Sequence, residues 1–82
     1  MKRSRHRIVS QILDICISGA SKTRIVYQAN LNFRTVNPYM EMLIKNELLS
    51  VEDGKRISYK TTQKGIGLLN NFREINSQLI EL

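Results

Sequence analysis

The strongest constraint lies in residues 21–46, where two helix-forming stretches are separated by a turn of only four residues. Ser21 is a good N-cap, because its hydroxyl can accept from a free backbone N–H of the first turn, and residues 22–28 make a short helix behind it. Residues 29–32 form the turn, and Asn32 caps a second, longer helix that ends near Asn46. On that longer helix Phe33, Val36, Met40, Leu43 and Ile44 share one face. Arg34, Pro38, Glu41 and Lys45 lie opposite, with Thr35 and Met42 beside them. A short helix, a tight turn and a longer helix with a basic outer face form a helix-turn-helix.

The flanking segments extend this pattern. Ser4 caps a first helix running to about Ser18, and Gly19 is the left-handed residue that stops it. Its apolar residues, Ile8, Val9, Ile12, Leu13, Ile15, Cys16 and Ile17, spread over about 200° of the helical wheel. That is too wide for one contact, so other elements should cover this helix on two sides. In residues 48–60, Asp53-Gly54 is a strong hairpin-turn dipeptide, and Val51, Ile57 and Tyr59 suit the flanking strands. Thr62 caps a last helix from Gln63 onward, whose start Gly65 and Gly67 weaken by roughly 1 kcal/mol each relative to Ala.

The order is helix, helix, helix, hairpin, helix. The fold class is therefore mostly α with a small β-hairpin: a winged helix-turn-helix, its hairpin the wing, with a C-terminal helix appended. Eighty-two residues fill a single core. Residues 1–62 make the winged helix-turn-helix and residues 63–82 a C-terminal dimerisation helix, within one compact unit. Pro38 removes a hydrogen bond and crowds the Arg34 carbonyl, which predicts a kink in the third helix or, as the alternative, an irregular first turn with the regular helix starting at Pro38.

Charge adds a partner. Thirteen Lys and Arg against seven Asp and Glu give a net +6. Twelve of those cations fall in residues 1–64, with five acids, whereas residues 65–82 hold one Arg and two Glu. The basic excess belongs to the first four-fifths of the chain and points to a polyanion there, unless it only keeps the surface solvated.

Catalysis finds little support. There is no Gly-rich phosphate loop, no paired-acid constellation and no Cys/His cluster, so no cofactor and no metal are expected. His6 sits in a basic N-terminal arm, and Cys16 lies on the apolar side of the first helix as a buried, inert thiol. One cysteine forms no internal disulfide, and no apolar run approaches the roughly 20 residues of a membrane span. The N-terminus lacks the uniform apolar segment of a signal peptide, which makes the expected location cytoplasmic.

Binding is where residue types and positions agree. The second helix of a helix-turn-helix enters the major groove, and its first turns reach base edges. Here they offer Asn32, Arg34 and Thr35. Arg pairs with guanine and Asn with adenine, although Asn32 also serves as a cap and Arg34 also reads as a solvated cation. Lys22, Thr23 and Arg24 open the second helix, where free N–H groups and the helix dipole attract phosphate. Lys45 ends the third helix, and Lys55 and Arg56 sit on the wing, suited to the backbone or the minor groove. Lys2, Arg3, Arg5 and Arg7 read either as a phosphate clamp or as a solvated tail.

The last helix carries a second pattern. Leu68, Phe72, Ile75, Leu79 and Leu82 step by four, three, four and three, the spacing of a coiled-coil seam. Ile66, Leu69 and Ile80 form a separate strip about 100° around the wheel. The two strips read either as one wide face packed within the chain or as two contacts, the first helix covering one strip and a second copy of the chain the other. So short a domain has little surface to bury both, and a homodimer is expected.

The run from Gly19 to Phe33, above all Lys22-Thr-Arg-Ile25 and Ala29-Asn-Leu31, resembles the archaeal winged-helix proteins related to the small ten-kilodalton chromosomal DNA-binding proteins. The resemblance continues through Tyr39-Met-Glu-Met-Leu-Ile44, Leu48-Leu49 and Tyr59-Lys-Thr-Thr-Gln-Lys-Gly65, covering about residues 5–79. It implies a winged helix dimerised through its C-terminal helix as an antiparallel coiled coil, binding DNA in a chromatin-like or regulatory role. Two features depart from the family: Pro38 replaces a helix-compatible polar residue, and the last helix is short, which implies a brief coiled coil.

The expectation is thus a non-enzymatic, homodimeric duplex DNA-binding protein, a transcriptional regulator or nucleoid-associated architectural protein, with no membrane and no small-molecule ligand as partner. The alternative is a winged-helix protein-interaction module within a larger assembly, which requires an apolar patch on the outer face of the third helix. An RNA-binding winged helix would carry the same charge.

Overall fold

The elements of the computed structural model are α1 (Arg5–Ile15), α2 (Lys22–Ala29), α3 (Phe33–Lys45), β1 (Leu49–Asp53), β2 (Ile57–Thr61) and α4 (Gln63–Glu81). It describes residues 3–81, with backbone alone for 79–81; Lys2, Leu82 and the side chains of Leu79 and Ile80 therefore lie outside the described residues. The expected winged-helix order is present.

Three helices start as their caps require. The Ser4 hydroxyl accepts from the Arg7 N–H at 3.1 Å, Ser21 from Arg24 at 3.2 Å, and Asn32 Oδ1 from Thr35 at 2.8 Å. Thr62 does the same for α4, accepting from the Gly65 N–H at 3.0 Å while donating to the Glu47 carbonyl at 2.6 Å. That second bond, with Lys64 Nζ donating to the Asn46 carbonyl at 3.1 Å, ties the start of α4 to the end of α3. α3 closes in a Schellman arrangement, Leu48 N–H to Leu43 and Glu47 N–H to Ile44, and puts Glu47 at φ 61°.

α1 ends three residues before the expected Ser18, with Cys16 as its C-cap. The reason is tertiary. The Leu13 carbonyl accepts from the Thr61 hydroxyl at 2.6 Å, and the Cys16 carbonyl accepts from the Thr61 N–H at 3.0 Å, so β2 takes acceptors a longer helix would use. Gly19, at φ 92°, then turns the chain as expected. Next to it, Ala20 and Tyr59 exchange backbone hydrogen bonds of 2.8 and 2.9 Å, a one-residue third strand beside the wing that sequence patterning misses.

β1 and β2 pair antiparallel from Leu49 opposite Thr61 to Asp53 opposite Ile57. Asp53 is thus the last paired residue of its strand, and the loop is the three residues Gly54, Lys55 and Arg56 rather than a turn centred on Asp53-Gly54. Gly54 has no left-handed φ.

The core draws one face from each helix: Ile8, Val9, Ile12, Leu13 and Cys16 of the α1 segment, Ile25 of α2, and Val36, Met40 and Leu43 of α3. Leu48, Leu49 and Leu69 close it, each such side chain contributing about 1.5–3 kcal/mol on burial. α1 is covered by α2 and by α4, as its wide apolar arc requires. Gly65 owes its place to this packing, because a Cβ there would collide with the Leu48 carbonyl oxygen and the Thr61 methyl. Gly67 faces open space.

Pro38 lies inside α3, which stays one helix from Phe33 to Lys45. The proline ring faces solvent. α4, about 28 Å long at 1.5 Å per residue, is exposed from Arg73 to Gln78.

Candidate nucleic-acid interface

α3 separates its two sides sharply. Val36, Met40 and Leu43 are buried, whereas Arg34, Asn37, Pro38, Glu41 and Lys45 are exposed along one outer row. Thr35 is half-buried beside that row. The Asn32 oxygen is committed to its cap, leaving the amide NH2 to donate outward. Lys45 lies about 16 Å along the axis from Arg34, at the opposite end of the helix. It therefore does not share the tip formed by Asn32, Arg34 and Thr35.

Phe33 departs from expectation. It shares a wheel position with the buried residues, yet it is 47% exposed. At the first helical position it stays outside the core cluster, whereas Ile44, at the other end, is half-buried against it.

At the start of α2, Thr23 and Arg24 are exposed and Lys22 is half-buried, around a helix end capped only by Ser21. Lys55 and Arg56 occupy the exposed wing loop, with Lys60 exposed on β2. Glu52 and Asp53 share the wing, so its charge is mixed.

Among the described residues, the N-terminal cations Arg3, Arg5 and Arg7 do not form a free arm. Arg3 donates from its guanidinium to the Ala29 and Asn30 carbonyls at the end of α2, and to Gln11 at 2.9 Å. Arg5 and Arg7 are within α1, as is His6, whose ring lies 5.7 Å from that of Phe72. Arg5 also lines a shallow hollow with Pro38, Tyr39 and Met42, which brings a cation to the flank of α3. Only tertiary packing creates that neighbourhood. Two further exposed side chains were missed on sequence: Asn37, in the middle of the outer row, and Tyr27, 80% exposed on α2. Asn37 was legible from its wheel position, three residues after Arg34.

Burial pushes the Cys16 thiol up to about 12, against a smaller opposing pull from Arg24, so the sulfur stays protonated and inert. Among the described residues no group of three His, Cys, Asp or Glu is placed to hold a metal ion. No helix of the described residues is long and apolar enough to cross a membrane.

A family model described as winged helix-turn-helix matches residues 2–79. The chain belongs to that family. Among solved structures, this winged helix is similar to Sso10a-2, a DNA-binding protein from Sulfolobus solfataricus, with a TM-score of 0.80 and 28% identity over 96% of this chain and 87% of that one. It shares its fold with BpsR of Bordetella bronchiseptica, whose DNA binding is regulated by 6-hydroxynicotinic acid: TM-score 0.76, 20% identity, 98% of this chain and 59% of that one. The uncharacterized protein MJ0287 of Methanocaldococcus jannaschii is 33% identical over 75 residues, 90% of this chain and 74% of the relative. MJ0290 of the same organism is 34% identical over 76 residues, 92% of this chain. This winged helix spans only 35% of that second relative's length. The archaeal resemblance read from residues 19–65 thus agrees with relatives from two archaea.

The expected dimer seam is only partly free. Phe72 is half-buried against the protein's own core, next to His6 of α1, and Leu68 is half-buried as well. Ile75 is 56% exposed. Leu79 and Leu82 fall outside the described side chains. Leu69 is buried in the core and Ile66 half-buried, which makes theirs the strip turned inward.

Proposed function

We propose that this protein is a non-enzymatic duplex DNA-binding protein, a transcriptional regulator or chromatin-like architectural factor, with α3 in the major groove. One observation carries the reading: α3 keeps Arg34, Asn37 and Lys45 on an exposed row while its other side is spent on the core. An Arg and an Asn one turn apart supply the bidentate donors that guanine and adenine edges accept. Lys22, Thr23 and Arg24 at the capped start of α2, and Lys55 and Arg56 on the wing, suit phosphates on either side of the groove. The DNA-binding description of Sso10a-2 points the same way. On this reading the protein works in the cytoplasm, bound to the nucleoid.

We further propose that it acts as a homodimer through α4. Ile75 is an exposed aliphatic side chain on a helix that outruns its own domain. Beside it an open groove of about 740 Å³ runs between α1 and α4, with Leu69 and Phe72 among its lining residues. A second α4 laid there would bury Ile75 and Phe72 together.

A protein-interaction module would require an apolar outer face on α3. Pro38 and the half-buried Met42 do not make one, and the row is otherwise polar or charged. The deciding experiment measures binding to duplex DNA, duplex RNA and single-stranded DNA side by side. Tightest binding to duplex DNA is expected; preference for RNA, or no nucleic-acid binding, overturns the reading.

A further inference from the structure

We propose that Phe33 reads the 5-methyl group of thymine in the major groove, which rests on the duplex-DNA reading above. Phe33 is a large apolar side chain left 47% exposed at the tip of α3. It is not needed for the start of the helix. The cap is Asn32 on the Thr35 N–H, and the two hydrophobic-staple positions, Leu31 and Val36, are both drawn into the core. Phe is also an indifferent helix former, so this position gains nothing from it locally.

Its surroundings select the partner. Arg34 follows directly and is exposed, Asn37 lies about one turn away, and the exposed Asn32 uses only its oxygen for the cap. An apolar ring among polar donors, on an element suited to the major groove, meets base edges that present hydrogen-bonding groups at nearly every position. Thymine alone adds a methyl there, and contact with it is the established use of an apolar side chain in groove readout. Stacking on a base face requires an unpaired base, which duplex DNA does not offer.

The test selects a preferred duplex from a randomised pool and replaces its thymines one at a time with deoxyuridine. This removes one methyl and leaves every hydrogen-bonding group in place. At one or more positions the wild type should bind the deoxyuridine duplex about fourfold more weakly, the value of one buried methyl. Phe33→Ala should bind the thymine and deoxyuridine forms equally there, and Phe33→Leu should keep part of the difference. Both variants should retain wild-type affinity for random duplex within about threefold, since phosphate contacts dominate it.

A wild type indifferent to deoxyuridine at every position overturns the assignment. So does a Phe33→Ala variant that still discriminates, or one whose main loss is on single-stranded DNA, which would make the ring a stacking platform. Failure of the wild type to bind random duplex at all would instead remove the DNA reading itself, and this inference with it.

Discussion

The Thr61 hydroxyl donates a 2.6 Å hydrogen bond to the Leu13 carbonyl, joining two residues 48 positions apart inside the core. Leu13 is fully buried and the Ile17 N–H turns to Asp14 instead, so Thr61 supplies a partner that the end of α1 lacks. Thr61→Val keeps the shape and removes the donor, leaving a buried carbonyl unsatisfied. It should cost about 1–3 kcal/mol, and Thr61→Ser less, by urea denaturation followed by circular dichroism. A Val variant as stable as wild type would mean the bond contributes nothing.

The two glycines of α4 should respond in opposite directions. Gly65→Ala drives a methyl into the Leu48 carbonyl and should destabilise by at least about 2 kcal/mol, because the obstacle is backbone. Gly67→Ala meets nothing and should stabilise by about 0.5–1 kcal/mol through helix propensity. Thermal unfolding of both variants checks this; equal shifts would contradict the close approach of α4 to Leu48.

The gap between sequence and structure has a physical pattern. The caps at Ser4, Ser21, Asn32 and Thr62, the left-handed Gly19 and the two-sided cover of α1 were all legible, because each follows from a few neighbouring residues. What was not legible depends on distant contacts. α1 stops early because Thr61 takes its acceptors, and Arg3 is drawn from a notional arm onto the end of α2. The Ala20–Tyr59 bridge joins residues that no local pattern relates. Phe33 had the right wheel position for the core but sits where the core ends. Of the candidate interface, the whole outer row of α3 was readable from helical spacing, including Asn37, which was overlooked, whereas Arg5 reaches α3 only through folding.

Within the interface, reading and positioning should separate. Arg34→Ala should lose roughly 1–3 kcal/mol on a preferred site and relax choice at one base pair. Lys22→Ala with Arg24→Ala should weaken binding about equally on all duplexes, since phosphate contacts carry no sequence. Competition binding with selected and random duplexes distinguishes the two; equal losses for Arg34→Ala on both would remove it from base readout.

Assembly turns on the exposed part of α4. Ile75→Lys places a charge in the expected seam, where burial without a partner is costly, yet Ile75 is not among the buried core residues. The variant should sediment as a monomer with unchanged helical content and should bind DNA more weakly, having lost the advantage of two linked half-sites. A wild type already monomeric at high micromolar concentration contradicts the dimer.

The most direct measurement is the salt dependence of binding to a random-sequence duplex. If each subunit of a dimer neutralises about four phosphates through the cations of α2, α3 and the wing, log affinity should fall against log salt with a slope near −7. A slope flatter than about −2 would contradict the account, because the exposed basic face would then not be a phosphate-binding face.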